Sequence, residues 1–253
     1  MKRYFLEVKL DDTSKEDATE KVVGFLFGEK QNMIFTPNPE MIVKAQKDLY
    51  FKEVLNKGDL NLCDGAGLAL ATGIKRIPGV DFMMEICKIA EKKNKSVYLL
   101  GTGDDKIIKK TADNLIKSFP KLRVVGFDIG PEIEESGVNN YELRIMNNDA
   151  IVEKINKVMP DVLFVAFGMG KQEKWINENL RKLPSVKIVM GVGGAFDYIS
   201  GVISRAPLFL RRIGLEWLYR LARQPSRIKR IFNATVVFAY FLIKNKITKK
   251  SSF

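Results

Sequence analysis

One pattern constrains this chain more than any other. A short apolar run ends in glycine beside a polar side chain, and a helical pattern follows. Ser96-Val97-Tyr98-Leu99-Leu100 runs into Gly101-Thr102-Gly103, and Asp161-Val162-Leu163-Phe164-Val165-Ala166 runs into Phe167-Gly168-Met169-Gly170. Val186-Lys187-Ile188-Val189-Met190 runs into Gly191-Val192-Gly193-Gly194, and Leu60-Asn61-Leu62-Cys63 into Asp64-Gly65-Ala66-Gly67. Continuous apolar runs of this length suit strands covered on both faces, which is the parallel type. Strands that alternate with helices predict an α/β fold, a mainly parallel sheet with helices on both faces, Rossmann-like. Strand ends of such a sheet share one edge, where open α/β sheets bind ligands. The ends at 64, 101, 168 and 193 are therefore expected to converge on one cleft.

The turn at Asp64 carries the chemistry most plainly. It reads as strand, tight turn, helix, with glycines that let the backbone turn sharply and approach a ligand. Two roles are open for the carboxylate from this stretch alone: a cap on the following helix or a general base aimed into the cleft. Gly101 and its neighbours form a candidate diphosphate cradle, with a glycine turn ahead of a helix N-terminus, although the full dinucleotide fingerprint is absent. Thr36-Pro37-Asn38-Pro39-Glu40 follows the apolar run Met33-Ile34-Phe35. The prolines keep Thr36 and Asn38 extended, so a hydroxyl and an amide stand at a strand end, as a helix stop, as ligand contacts, or as both.

Several further elements are expected: a strand over 3–9, helices over about 14–27, 41–49, 81–93 and 104–118, a strand over 122–126, a loop over 128–140 and a helix over 141–158. Arg76 and Asp81 flank a loop and can pair with each other. After the break at Arg205-Ala206-Pro207, a helix is expected from 208 to 222 and a second from 226 to 248.

At 253 residues the chain suits one large domain, or a domain with an appendage. It has no histidine, so any general base is Asp, Glu, Lys, Tyr or Cys. The Asp-x-Asp metal clamp common in nucleotide-sugar enzymes is absent too. Cys63 and Cys87 have no metal spacing and read as reduced cytosolic thiols. Met1-Lys2-Arg3 leads into a strand pattern too short for a secretory signal. The net charge of +12 is concentrated at the C-terminal end. Residues 205–253 hold twelve Lys and Arg against one acid, Glu216, which leaves 30 basic and 29 acidic residues in 1–204. A cationic tail suggests an anionic partner. Its apolar run, Ile231–Ile243, is thirteen residues, whereas a bilayer-spanning helix needs about 20. It suits an interfacial helix with cationic flanks, or a helix packed on the body or another subunit. Its aromatics lie inside the apolar run, which favours a membrane surface over nucleic acid.

Six ordered motifs resemble the WecG/TagA/CpsF glycosyltransferases, glycosyltransferase family 26: Thr36–Glu40, Asp64–Gly67, Arg76–Asp81, Phe167–Trp175, Gly191–Asp197, and Arg205-Ala206-Pro207 through Glu216-Trp217 and Arg220. The likeness covers nearly the whole chain and is nearest the TagA branch. It implies a metal-independent, inverting transfer of a sugar from a UDP donor to a polyprenyl-diphosphate-linked sugar. For that branch the donor is UDP-N-acetylmannosamine, the acceptor is undecaprenyl-diphosphate-N-acetylglucosamine, and the product is the wall teichoic acid linkage unit. It implies Asp64 as base, with Thr36, Gln172 and Asp197 near the donor. Arg212, Arg220 and Arg223 match arginines expected to close the site over the diphosphate. With Asn38, Gly101 and Gly193 on the donor side and Arg76 toward the diphosphate and acceptor, these are the candidate site residues. The expected organisation is a body over 1–204 and a basic helical appendage over 205–253. That appendage completes the site and attaches the enzyme peripherally to the inner face of the cell membrane. A homo-oligomer is expected when the appendage is displaced. The alternatives are the same chemistry with another UDP-sugar, in capsule, exopolysaccharide or enterobacterial antigen assembly, a nucleic-acid-binding module, and a nucleotide-binding scaffold without catalysis.

Overall fold

The computed structural model describes residues 1–136 and 142–250. Among the described residues ten strands are present: β1 (Lys2–Phe5), β2 (Val8–Asp11), β3 (Asn32–Phe35), β4 (Leu60–Asn61), β5 (Ser96–Gly101), β6 (Arg123–Asp128), β7 (Glu132–Ser136), β8 (Glu142–Met146), β9 (Val162–Ala166) and β10 (Ile188–Gly191). Six of them form one parallel sheet in the order β4-β3-β10-β9-β5-β6. Strand period two gives each apolar run two buried faces. Phe35, Tyr98, Leu100, Leu163, Val165 and Val189 meet one set of helices: Pro39–Ala45, Leu49–Lys57, Asn148–Val158 and Lys171–Asn179. Ile34, Val97, Leu99, Phe164, Ile188 and Met190 meet the other set: Lys15–Phe27, Gly79–Lys92, Asp105–Ser118 and Ala195–Ile199. The expected α/β architecture, covered on both faces, is what forms.

Local chemistry sets the helix starts. Ser14, Asn38, Asp48 and Asp104 cap their helices, each accepting a backbone N–H inside the first turn. Pro39 sits at the first helical position after Asn38, where its missing N–H costs nothing.

The structure departs from expectation in five places. The strand expected over 3–9 is an antiparallel hairpin, because Leu6 and Glu7 both take left-handed φ (47° and 62°). The helix expected over 41–49 is two helices, since Asp48 caps a second one starting at Leu49. The loop expected over 128–140 contains strand β7, which pairs with β8 in a separate two-stranded ribbon. Residues 137–141, including the expected start of the next helix, lie outside the described residues; residues 142–146, expected in that helix, form β8 instead, and the helix begins at Asn148. The helix expected over 208–222 is broken into Leu208–Arg212 and Glu216–Arg223 by Gly214, whose φ of +80° is left-handed.

The C-terminal helices run back across the sheet edge. Ile228–Phe232, a π-helical turn over Asn233–Val237 and Phe238–Lys250 follow one another without a break in winding. Phe238 is buried against Phe5, with ring centroids 6.0 Å apart. Val237, Phe241 and Leu242 join the same core. Ile228, Phe232, Val236, Tyr240 and Ile243 remain exposed at spacings of three and four. Among the described residues no helix is long and apolar enough to cross a membrane.

Candidate active site

The loops that leave β3, β4, β9 and β10 open at one edge of the sheet and meet the C-terminal helices across a cleft of about 560 Å3. Thr36, Asn38, Asp64, Arg76, Gln172, Gly193, Asp197 and Arg220 line it together. Three candidates are elsewhere. Gly101 lies behind the wall, where its φ of +128° and the Ala166 backbone leave no room for a side chain, and its neighbour Thr102 lines the cleft instead. Arg212 and Arg223 are exposed and off the cleft, and Arg223 stacks on the Tyr219 ring at 5.4 Å.

Asp64 follows β4, and its own N–H is held by Pro37 O at 2.8 Å. The helix after it is capped by Gly65, with no side-chain bond, so Asp64 is not the cap. Its carboxylate instead accepts from Gly65 N (2.6 Å, on Oδ1) and Gly79 N (3.1 Å, on Oδ2). Arg76 Nε approaches Oδ1 at 3.4 Å. Burial pushes the Asp64 carboxyl above the ordinary carboxylate value, against the pull of Arg76 and the two amides. A raised carboxyl that still faces a cleft suits proton removal near neutral pH. Cys63 beside it is pushed up to about 12 by burial, so its thiol stays protonated and is no nucleophile.

Gln172 and Glu173 open the helix after β9. Gly170 takes φ +89° so that its N–H can reach Glu173 Oε2 at 2.7 Å. Gln172 Nε2 donates to Glu173 Oε1 at 2.7 Å, and Gln172 Oε1 accepts from Gly193 N at 2.9 Å. One side-chain pair thus ties the loop after β9 to the loop after β10. Burial pushes the Glu173 carboxyl up to about 6.

On the opposite wall Asp197 meets Arg220 at 3.4 Å, and burial raises its carboxyl against the pull of Arg220 and Arg227. Arg220 also lies over the Tyr198 ring, 4.7 Å from its centroid. Arg227 is lowered to about 10, first by burial and then by the nearby Arg220 and Arg230. Arg230 forms a bidentate pair with Glu40 at 2.9–3.1 Å. Deeper in, Arg76 Nη2 pairs with Glu216 at 3.1 Å, while Arg205 joins the other Glu216 oxygen at 3.2 Å and reaches Asp81. The pairing of Arg76 with Asp81 open at the sequence level is therefore not made: each takes another partner.

Among the described residues, five arginines (76, 205, 220, 227 and 230) line the cleft. They form a cationic rim suited to a diphosphate, above a base at the strand end. Among the described residues no group of three or more His, Cys, Asp or Glu is placed to hold a metal. Sequence reasoning assigned no site role to Arg205, Glu216, Arg227, Arg230, Tyr198 or Glu173. Arg205, Glu216 and Glu173 did fall inside recognisable motifs, and Tyr198 follows Asp197. Arg227 and Arg230 carried no signal beyond charge, because contacts with Gln224 and with the sequence-distant Glu40 hold them.

A family model described as Glycosyl transferase WecG/TagA/CpsF family matches residues 3–252. A Bacillus subtilis (strain 168) protein named N-acetylglucosaminyldiphosphoundecaprenol N-acetyl-beta-D-mannosaminyltransferase is 31% identical over 225 residues, which is 87% of this chain and 82% of that one. A Staphylococcus aureus (strain MW2) protein of the same name is 28% identical over 249 residues, 95% of this chain and 92% of that one.

Proposed function

The chain belongs to the WecG/TagA/CpsF glycosyltransferase family and is a glycosyltransferase, and from that premise we propose its substrates: it moves N-acetylmannosamine from UDP-N-acetylmannosamine to undecaprenyl-diphosphate-linked N-acetylglucosamine, building the wall teichoic acid linkage unit. The observation that carries the mechanism is Asp64, a cleft-facing carboxylate held by two backbone amides and raised by burial. A sugar hydroxyl is a poor nucleophile at neutral pH, so its proton must leave as attack proceeds. Asp64 takes that proton. Attack from the face opposite UDP inverts the anomeric carbon, and the leaving β-phosphate gains charge. The arginine rim stabilises that charge electrostatically in a partly enclosed site. Thr36, Asn38, Gln172, Gly193 and Asp197 hold the donor sugar and nucleotide. No step in this reading runs through a metal ion.

The segment from Arg205 on has two jobs in this proposal. Arg205, Arg220, Arg227 and Arg230 complete the cleft. The exposed apolar face of Ile228, Phe232, Val236 and Tyr240, with Lys229 and Lys244 in the same segment, seats the enzyme peripherally on an anionic membrane where the polyprenyl acceptor resides.

The test is a transfer assay with a short-chain polyprenyl-diphosphate-N-acetylglucosamine and a panel of UDP-sugars, with EDTA present, reading UDP release and product mass. Turnover confined to UDP-N-acetylmannosamine is expected. Turnover only with another UDP-sugar refutes the donor and moves the enzyme to another polysaccharide. Loss of turnover to EDTA refutes the metal-free mechanism.

A further inference from the structure

The Asp64 carboxylate has two oxygens and about four acceptor positions. Gly65 N and Arg76 Nε occupy Oδ1, and Gly79 N takes one position on Oδ2. One position on Oδ2 remains for an incoming hydroxyl. That vacancy depends on where Arg76 spends its guanidinium. Arginine pairs most strongly with a carboxylate through two parallel bonds, and such a pairing with Asp64 would fill Oδ2. Arg76 does not make it. Its Nε contact with Asp64 is long at 3.4 Å, Nη2 goes to Glu216 Oε2 at 3.1 Å, and Nη1 goes to Arg211 O at 3.3 Å. Glu216 is itself mostly buried and is fixed from behind by Arg205, which Asp81 holds. Charges alternate along the row Asp64, Arg76, Glu216, Arg205, Asp81.

We propose that Glu216 is a positioning residue for the transfer: carried in on the helix Glu216–Arg223, it draws Arg76 out of bidentate pairing with Asp64 and so leaves Oδ2 open to take the acceptor's proton. The inference rests on the reading of Asp64 as base. It makes seating of the C-terminal helices a condition for basicity as well as for closure of the cleft. Without Glu216, Arg76 closes onto Asp64, the vacancy fills, and proton affinity falls.

The charged groups acting on Asp64 are Arg76, which lowers its proton affinity, and Glu216, which raises it. Arg205 and Asp81 stand one step further along the row, and Cys63 stays protonated throughout the neutral range. The sign is therefore fixed. Removing Glu216 moves Asp64 ionisation to lower pH by two routes, loss of a like charge and release of Arg76. Removing Arg76 moves it to higher pH.

The experiment is the pH dependence of kcat/KM, whose acid limb reports the base in the free enzyme, for wild type, Glu216→Gln, Glu216→Asp, Arg76→Gln and Asp64→Asn. Glu216→Gln should shift the acid limb to lower pH and lower the plateau. Glu216→Asp should return the limb toward wild type. Arg76→Gln should shift it to higher pH. A lowered plateau with an unmoved limb in Glu216→Gln means that Glu216 only holds the helix in place, and overturns the proposal. Should Glu216→Gln release the helix, seen as new protease cleavage beyond Pro207, the Arg76→Gln limb decides, and an unmoved limb there overturns it too. Asp64→Asn separates this from the parent reading: retained turnover sinks the base itself, whereas a dead Asp64→Asn with unmoved limbs in the other variants sinks only the role of Glu216.

Discussion

Glu173 offers a quantitative test of the site's buried hydrogen-bond chain. Its carboxylate accepts from Gly170 N and Gln172 Nε2, and it is 1% exposed. Burial pushes it from an ordinary 4.5 up to about 6, against the lowering effect of those donors. The folded protein therefore binds the Glu173 proton more tightly than the unfolded chain does. Protonation favours folding, so this contribution is fully present below pH 4.5 and is lost as pH rises through about 6. A rise of that size is worth about 2 kcal/mol, because each pKa unit is about 1.4 kcal/mol. Glutamine does not titrate. The unfolding free energy of Glu173→Gln minus that of wild type should then rise by about 1.5 kcal/mol between pH 4.5 and pH 7. The offset at any one pH is separate. Gln presents an NH2 to groups that are all donors, which costs about 1–3 kcal/mol throughout. Urea denaturation of both proteins at several pH values reads the difference. A difference that is flat with pH, or that falls as pH rises, would refute the argument.

Two further perturbations probe the frame of the cleft. Gly101→Ala places a Cβ 2.7 Å from the Ala166 backbone at a φ no alanine favours, and should destabilise the fold by about 2–5 kcal/mol; an unchanged Tm contradicts this. Phe238→Ala removes the ring that docks the C-terminal helix on Phe5, at a cost of about 3 kcal/mol. The body should keep its unfolding midpoint while residues after Pro207 become protease-sensitive and transfer falls; unchanged protection there refutes the docking role.

The sheet and its ligand edge were legible because strands buried on both faces must be apolar throughout and must end in residues that permit a sharp turn. Asp64, Thr36 and Gly193 could be placed from those ends, whereas Gln172 and Asp197 came from the motifs that carry the family resemblance. The β7–β8 ribbon was not legible, because Ile133 is the one apolar residue of β7 and the ribbon pairs outside the main sheet. Arg223 shares an unbroken helix with Arg220 but stacks on the Tyr219 ring, and Arg212 lies off the cleft for a geometric reason. Gly214 breaks the helix between Arg212 and Glu216, so spacing along one continuous helix no longer says which arginines face inward. Glu173 read as a helix opener. Only the left-handed Gly170 turns that residue into the buried end of a hydrogen-bond chain.

The most direct test of the central claim compares wild type with Asp64→Asn in the same transfer reaction, beside equilibrium binding of the UDP-sugar. General-base catalysis contributes about 10²–10⁴-fold. Asp64→Asn should lose kcat by that factor and bind donor as wild type does. Turnover within a few-fold of wild type would contradict the account, since the cleft would then be working without the carboxylate around which it is built.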